Sequence, residues 1–254
     1  MALKGRIGGG LAVTVIFAAL TASAATPLGF EGTDSERIEQ AIAAAVKDGS
    51  RSVTIPKKAD GSAWMIERAI LVPGDFTLEI DDALVQLKPG TRDNLIRNAS
   101  AVGQCQVTPS RNIVIRGKGR AVLCGGTGNH YAPNRSGDVN GWPTIGILLA
   151  GVDTFRIEGL TLKETQAWGV SVENGCVNGV IRNLVFDDSN LMRNQDGVDI
   201  RKGCHDIVIE NISGVAGDDV VALTALRSAT QPEGRLTMQI GGNTPTDRDD
   251  VYNV

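Results

Sequence analysis

Three aspartates stand out by type and spacing: Asp196, Asp218 and Asp219, in a stretch that runs over residues 194–223. Asp218 and Asp219 are adjacent and follow Asp196 by 22 and 23 residues. If a repeating fold brings the two places together, like charges crowd one another and at least one carboxyl has a raised pKa. An acid that keeps its proton beside an ionised base is a general acid–base pair. Each residue also has a structural reading. Asp196-Gly197 is an ordinary turn signal, and an aspartate before a strand is often a solvated turn residue. Asp187, Asp188, Asp196, Asp199, Asp218 and Asp219 could instead offer oxygens to calcium.

The elements around these residues indicate whether they meet. Asn112-Ile-Val-Ile-Arg-Gly117 matches Thr154-Phe-Arg-Ile-Glu-Gly159, Asn178-Gly-Val-Ile-Arg-Asn183 and Asp206-Ile-Val-Ile-Glu-Asn211. The shared isoleucines Ile115, Ile157, Ile181 and Ile209 are 42, 24 and 28 residues apart. Intervals of 24 and 28 suit one coil of a parallel β-helix, in which each turn stacks on the one before. The longer interval implies an insertion at residues 125–142, rich in Gly, Asn and Pro. Trp168-Gly-Val-Ser-Val-Glu-Asn-Gly-Cys176 aligns without gaps to Asp196-Gly-Val-Asp-Ile-Arg-Lys-Gly-Cys204. An antiparallel sandwich would not explain nine gapless positions.

Extended one coil further, the alignment puts Trp168, Asp196 and Asp219 in a column at the start of a strand, with Asp218 in the preceding turn. Val170, Val198 and Val221 form one inward ladder, and Val172, Ile200 and Leu223 another. The three carboxylates are then neighbours, as hydrolysis of a glycosidic bond requires. Trp168 reads either as packing or as an aromatic platform for a sugar. His130 and His205 have no partner at a defining spacing.

The rest of the chain agrees with a coiled all-β body. Thr33-Asp-Ser-Glu36 is a capping box, and Ile38, Ala41, Ile42, Ala45 and Val46 recur at helical spacing before Asp48-Gly49. This predicts a helix over residues 35–47 that covers the exposed end of the first coil. From Ser52 onward, short alternating runs are closed by Pro, Gly, Asp or Asn. Residues 249–254 read as the opening of another coil, so the sequence is expected to continue beyond Val254.

At 254 residues with 31 glycines and 4% aromatics, the chain suits many turns and a core of small branched residues. The net charge of −4 argues against a nucleic-acid partner. Lys4 and Arg6, the apolar run over residues 11–20 and Ala22-Ser23-Ala24 predict an export signal over residues 1–24. The apolar run is too short to span a bilayer. A single domain over residues 25–254, secreted or periplasmic, with no membrane association and a monomeric state, is expected. Export permits disulfides among Cys105, Cys124, Cys176 and Cys204, none at zinc-site spacing. Cys105 and Cys124 are a possible pair. Cys176 and Cys204, equivalent on adjacent coils roughly 4.8 Å apart, are expected to pack as reduced thiols.

At these residues the chain resembles the family 28 glycoside hydrolases, the polygalacturonase-like enzymes. Asn194-Gln-Asp-Gly-Val-Asp-Ile200 looks like their Asn-Thr-Asp-Gly motif, with Gln195 in place of Thr, and Gly217-Asp-Asp219 looks like their Asp-Asp motif. The resemblance implies a right-handed parallel β-helix that hydrolyses galacturonan-type polysaccharide with inversion and without a cofactor or metal. It implies Asp218 as general acid, with Asp196 and Asp219 activating water. Trp168, Asn194, Asp199, Arg201 and Lys202 are the candidate substrate-binding residues around them. The family's Gly-His-Gly and Arg-x-Lys motifs are not matched; Gly241-Gly-Asn243 has no histidine. Two other readings remain open: a calcium-dependent lyase or epimerase on the same fold, and a non-catalytic glycan-binding protein.

Overall fold

The four matched isoleucines stack. In the computed structural model, which describes residues 24–103, 106–126, 142–189, 193–225 and 250–254, Ile115 pairs with Ile157, Ile157 with Ile181 and Ile181 with Ile209 across parallel strands. The ladder extends backwards through Leu78 to Val53. All but Ile209 are fully buried, and each such side chain contributes roughly 1.5–3 kcal/mol relative to exposure.

The ladder belongs to the first of three rows of strands. This row runs Ser52–Pro56, Phe76–Asp81, Ser110–Lys118, Val152–Glu158, Val177–Asp187 and His205–Val215. A second row runs Trp64–Ile66, Leu84–Leu87, Val122–Cys124 and Thr161–Lys163, and joins the first where Thr161–Lys163 pairs with residues 185–187. The third row is a separate six-stranded sheet: Ile70–Val72, Ile96–Asn98, Ile147–Ala150, Val170–Glu173, Val198–Arg201 and Val221–Thr224. Each coil visits the rows in turn, so the sheets stack along the chain and enclose one continuous core from Ile38 to Ile207. Among the described residues, the one antiparallel pair is Ala101–Gly103 with Gln106–Val107.

The ends of the sequence repeat have a backbone cause. Its first residues, Asn112, Thr154, Asn178 and Asp206, all have positive φ, between 50° and 62°. Its last residues in the later coils, Gly159, Asn183 and Asn211, do too. Asn and Asp tolerate this left-handed corner better than other non-glycine residues. Their side chains also cross-link coils: Asn112 Nδ2 donates to Asp75 Oδ1 at 2.7 Å and Asn178 Nδ2 to Asp153 Oδ1 at 2.9 Å.

The helix spans Asp34–Asp48, one residue longer at each end than expected. Both halves of the capping box form, with Glu36 N–H donating to Thr33 Oγ1 at 3.3 Å and Thr33 N–H to Glu36 Oε2 at 2.8 Å. Gly49 ends it at φ 80°. Ile38, Ala41, Ile42 and Ala45 join the same core as Val53, Trp64 and Ile70.

At the other end, Tyr252 bridges to His205 in parallel register, and Ile207 N–H donates to Asn253 O at 3.1 Å. Tyr252 and Asn253 thus lie against the start of His205–Val215 in the first row. Cys176 accepts from Val152 N–H at 3.2 Å and its thiol donates to Glu173 O at 3.2 Å. Cys204 donates to Val172 O at 3.5 Å. Both are free and buried, as expected. Cys124 is also a free buried thiol; the considered pairing rests on Cys105, which is not among the described residues. Cys105, His130, the expected signal, residues 127–141 of the insertion and Gly241-Gly-Asn243 lie outside the described residues.

Candidate active site

The third row builds the site. Val170, Val198 and Val221 are paired, as are Val172, Ile200 and Leu223, so both expected ladders form in register. Val170, Val172, Val198 and Ile200 face inward and are fully buried, whereas Val221 and Leu223 are exposed, contrary to the expectation. Just before these strands, Gly169 N–H donates to Asp196 O at 2.7 Å and Gly197 N–H to Asp219 O at 2.8 Å. Trp168, Asp196 and Asp219 therefore lie in one column on three successive coils. The glycines after Trp168 and Asp196 permit this spacing. A Cβ on Gly197 would overlap Val220 O and come within 2.8 Å of the Phe186 ring, and one on Gly169 would overlap that ring. Gly197 does not have positive φ, so its Asp-Gly pair marks a close approach of coils and not a glycine-specific turn.

Asp218 is held against the same corner by the two residues before Asp196. Asn194 N–H donates to Asp218 Oδ2 at 3.2 Å. Gln195 O accepts from Gly217 N–H at 2.9 Å and from Asp218 N–H at 3.2 Å. Asp219 N–H in turn donates to Asp196 Oδ1 at 3.3 Å. Residues 194–196 thus grip 217–219 through four hydrogen bonds. The three carboxylates form one cluster, with Asp218 and Asp219 exposed and Asp196 buried.

Asp199 adds a fourth carboxyl from the strand itself. It is 2% exposed, hydrogen-bonds to Asp196, and accepts from Thr224 Oγ1 at 3.4 Å. Burial, supported by the Asp196 charge, pushes its carboxyl up to about 8, while the Arg201 charge opposes this. Burial also raises Asp196, and the Asp218 charge adds to the rise. The hydrogen bond between the two acts oppositely on them, raising Asp199 and lowering Asp196. Burial therefore favours a proton held between the two carboxyls, on the Asp199 side and directed at Asp196.

The other expected residues are at the site but covered. Trp168 is 3% exposed and lies under the Arg201 guanidinium, 4.2 Å from its ring centre. Arg201 Nη1 also pairs with Glu173 Oε1 at 3.5 Å, and Ser171 Oγ donates to that oxygen at 2.7 Å. Trp168 packs with Ile145, Leu148 and Ala167. Of the two readings of Trp168, packing is what this conformation displays. Lys202 is buried at a corner with φ 35°, and Asn194 is half-buried. His205 sits on the first row, stacked on Tyr252 at 4.4 Å, away from the carboxylates.

Sequence reasoning missed Glu173 and Ser171. The gapless alignment already placed Glu173 beside Arg201 and Ser171 beside Asp199, and opposite charge at equivalent positions was the available signal. It missed Glu164, one corner earlier, and weighed Asp188 there only as a possible calcium ligand. Asp188 Oδ1 accepts from Thr165 N–H at 3.0 Å, and Glu164 Oε1 accepts from Ser189 N–H at 3.1 Å. Nothing in their spacing distinguishes them from surface turn residues. Among the described residues, no three or more His, Cys, Asp or Glu side chains group as a metal site would need. No helix among them is long and apolar enough to cross a membrane.

Comparison with known proteins agrees with this geometry. No curated protein sequence matched. Among solved structures, a candidate glycosyl hydrolase from Parabacteroides merdae superimposes with a TM-score of 0.57 at 12% identity, over 79% of this chain and 88% of that one. Endo-xylogalacturonan hydrolase from Aspergillus tubingensis superimposes with a TM-score of 0.52 at 21% identity, over 78% of this chain and 52% of that one. At such identities the likeness is one of fold. The family model for glycosyl hydrolases family 28 matches residues 69–254, which include every carboxylate of the site. The chain accordingly belongs to glycosyl hydrolases family 28 and is a glycosidase of that pectin-directed family.

Proposed function

We propose that this protein hydrolyses galacturonan-type polysaccharide with inversion, using Asp218 as general acid and Asp196 with Asp219 to activate water. The observation that carries the reading is the grip of residues 194–196 on 217–219. It gathers three carboxylates at one corner in unlike surroundings. Asp218 is exposed and can reach a leaving oxygen, while Asp196 is buried and anchored by the raised Asp199 carboxyl. A base that keeps its charge beside a solvent-facing acid is what inverting hydrolysis uses. Asn194, beside Asp218, borders the substrate. Trp168, Asp199, Arg201 and Lys202 form the floor beneath it, where Arg201 and Lys202 supply positive charge towards uronate groups.

In this reading the chain winds as a right-handed coil, and Asp34–Asp48 covers its first turn. The protein is exported as a single monomeric domain after removal of residues 1–24. Asp218→Asn tests the chemistry. Release of reducing ends from polygalacturonate is expected to fall by ~10³-fold with the circular dichroism spectrum unchanged, since a general acid supplies about 10²–10⁴ in rate. Unchanged turnover would remove Asp218 as the acid. The anomeric form of the first product, read by NMR, tests inversion.

A further inference from the structure

We infer that Gln195 is a positioning residue for Asp218, tying the proposed acid to a buried polar corner two coils earlier. The inference deepens the functional reading above and rests on its assignment of Asp218.

Gln195 is completely buried and makes contacts in both directions along the stack. Its side-chain Nε2 donates to Thr165 O on the preceding coil. Its main-chain carbonyl accepts from both Gly217 and Asp218 on the following coil. Thr165 is itself fixed, because its N–H donates to Asp188 Oδ1 at 3.0 Å. Hydrogen bonds therefore run from Asp188 through Thr165 and Gln195 to the amide of Asp218. The buried side-chain amide of Gln195 adds an anchor on the preceding coil to the residue whose carbonyl holds Gly217 and Asp218, beside the bond from Gly169 N–H to Asp196 O. Asp218 is exposed, so its direction depends on the Asn194 N–H at its Oδ2 and on what holds its backbone.

The consequence falls on proton donation and not on substrate affinity. Small displacements of a reacting group cost up to ~10²-fold in rate. The test compares Gln195→Leu and Gln195→Thr with wild type on two substrates. Polygalacturonate has a sugar hydroxyl as leaving group and needs the acid. A 4-nitrophenyl oligogalacturonide releases a nitrophenolate that leaves without a proton. On polygalacturonate, kcat is expected to fall by ~10–100-fold with KM within about twofold. On the aryl substrate, kcat is expected to fall by less than about threefold. Equal losses on both substrates, an effect confined to KM, or no loss would overturn the inference. Should wild type turn over neither substrate, the functional reading fails. Amide hydrogen exchange at Gly217 and Asp218 in the folded variants then decides the positioning role: faster exchange supports it and unchanged exchange overturns it.

Discussion

Replacing Asp188 by asparagine should make the protein more stable at neutral pH and flatten its pH dependence. Asp188 is 4% exposed, its Oδ1 accepts from Thr165 N–H, and its Oδ2 has no hydrogen-bond partner among the described residues. Burial pushes its carboxyl from 3.8 to about 7, with the Glu164 and Asp187 charges adding to the rise and the Thr165 N–H opposing it. Because the folded value lies above the unfolded one, the native state holds more protons between about pH 4 and 7. Stability from this group is complete below about pH 4 and is lost as pH rises through about 7. A rise of about 3 units, at ~1.4 kcal/mol each, sets a ceiling of about 4 kcal/mol. Water penetration and relaxation reduce this, so about 2 kcal/mol is the working expectation. Asparagine keeps an oxygen for Thr165 N–H and never ionises. Urea unfolding at unit steps from pH 4 to pH 8 should show Asp188→Asn near wild type at pH 4 and about 2 kcal/mol more stable at pH 8. Asp196 and Asp199 titrate in both proteins, so the difference curve isolates Asp188. Parallel curves across this range would refute the reasoning.

Two further outcomes follow from the same coordinates. Gly197→Ala places a methyl against Val220 O and the Phe186 ring. It should lower stability by about 2 kcal/mol or more and reduce turnover, because the clash separates the coils that bear Asp196 and Asp219; an unchanged urea midpoint would contradict the close-approach role of this glycine. Intact-mass analysis of the protein recovered from an exporting host should give a chain beginning at Ala25, and a chain that retains Lys4 and Arg6 would contradict cleavage.

Much of the architecture was legible because a stacked coil reuses the same local conditions. The four isoleucines must face inward, and the corner before each must tolerate positive φ, so Asn or Asp recurs there. An insertion over residues 125–142 was inferred from a break in the interval; residues 127–141 of it lie outside the described residues. The capping box predicted the helix within a residue at each end, because a cap is a local hydrogen-bond arrangement. The column of Trp168, Asp196 and Asp219 followed from counting residues between repeats, with no knowledge of tertiary structure.

What counting did not give was the environment of each side chain. Trp168 could have faced solvent; it lies beneath Arg201 because Glu173, on its own strand, holds the guanidinium there. Asp199 was one of several candidate carboxylates, and only its burial against Asp196 makes it the protonated partner. Glu164 carried no signal and Asp188 was read only as a possible calcium ligand, since a corner residue is solvated or buried according to what packs beside it. Sequence periodicity determines which residues share a column, because each coil repeats the backbone path of the one before. Charge state, burial and hydrogen-bond partners depend on dielectric and donors contributed by other coils, and these exist only once the coils have stacked. The Asp196–Asp218–Asp219 cluster was therefore readable in the chain, while the anchoring of Asp196 by Asp199 and of Asp218 through Gln195 was decided by the tertiary structure.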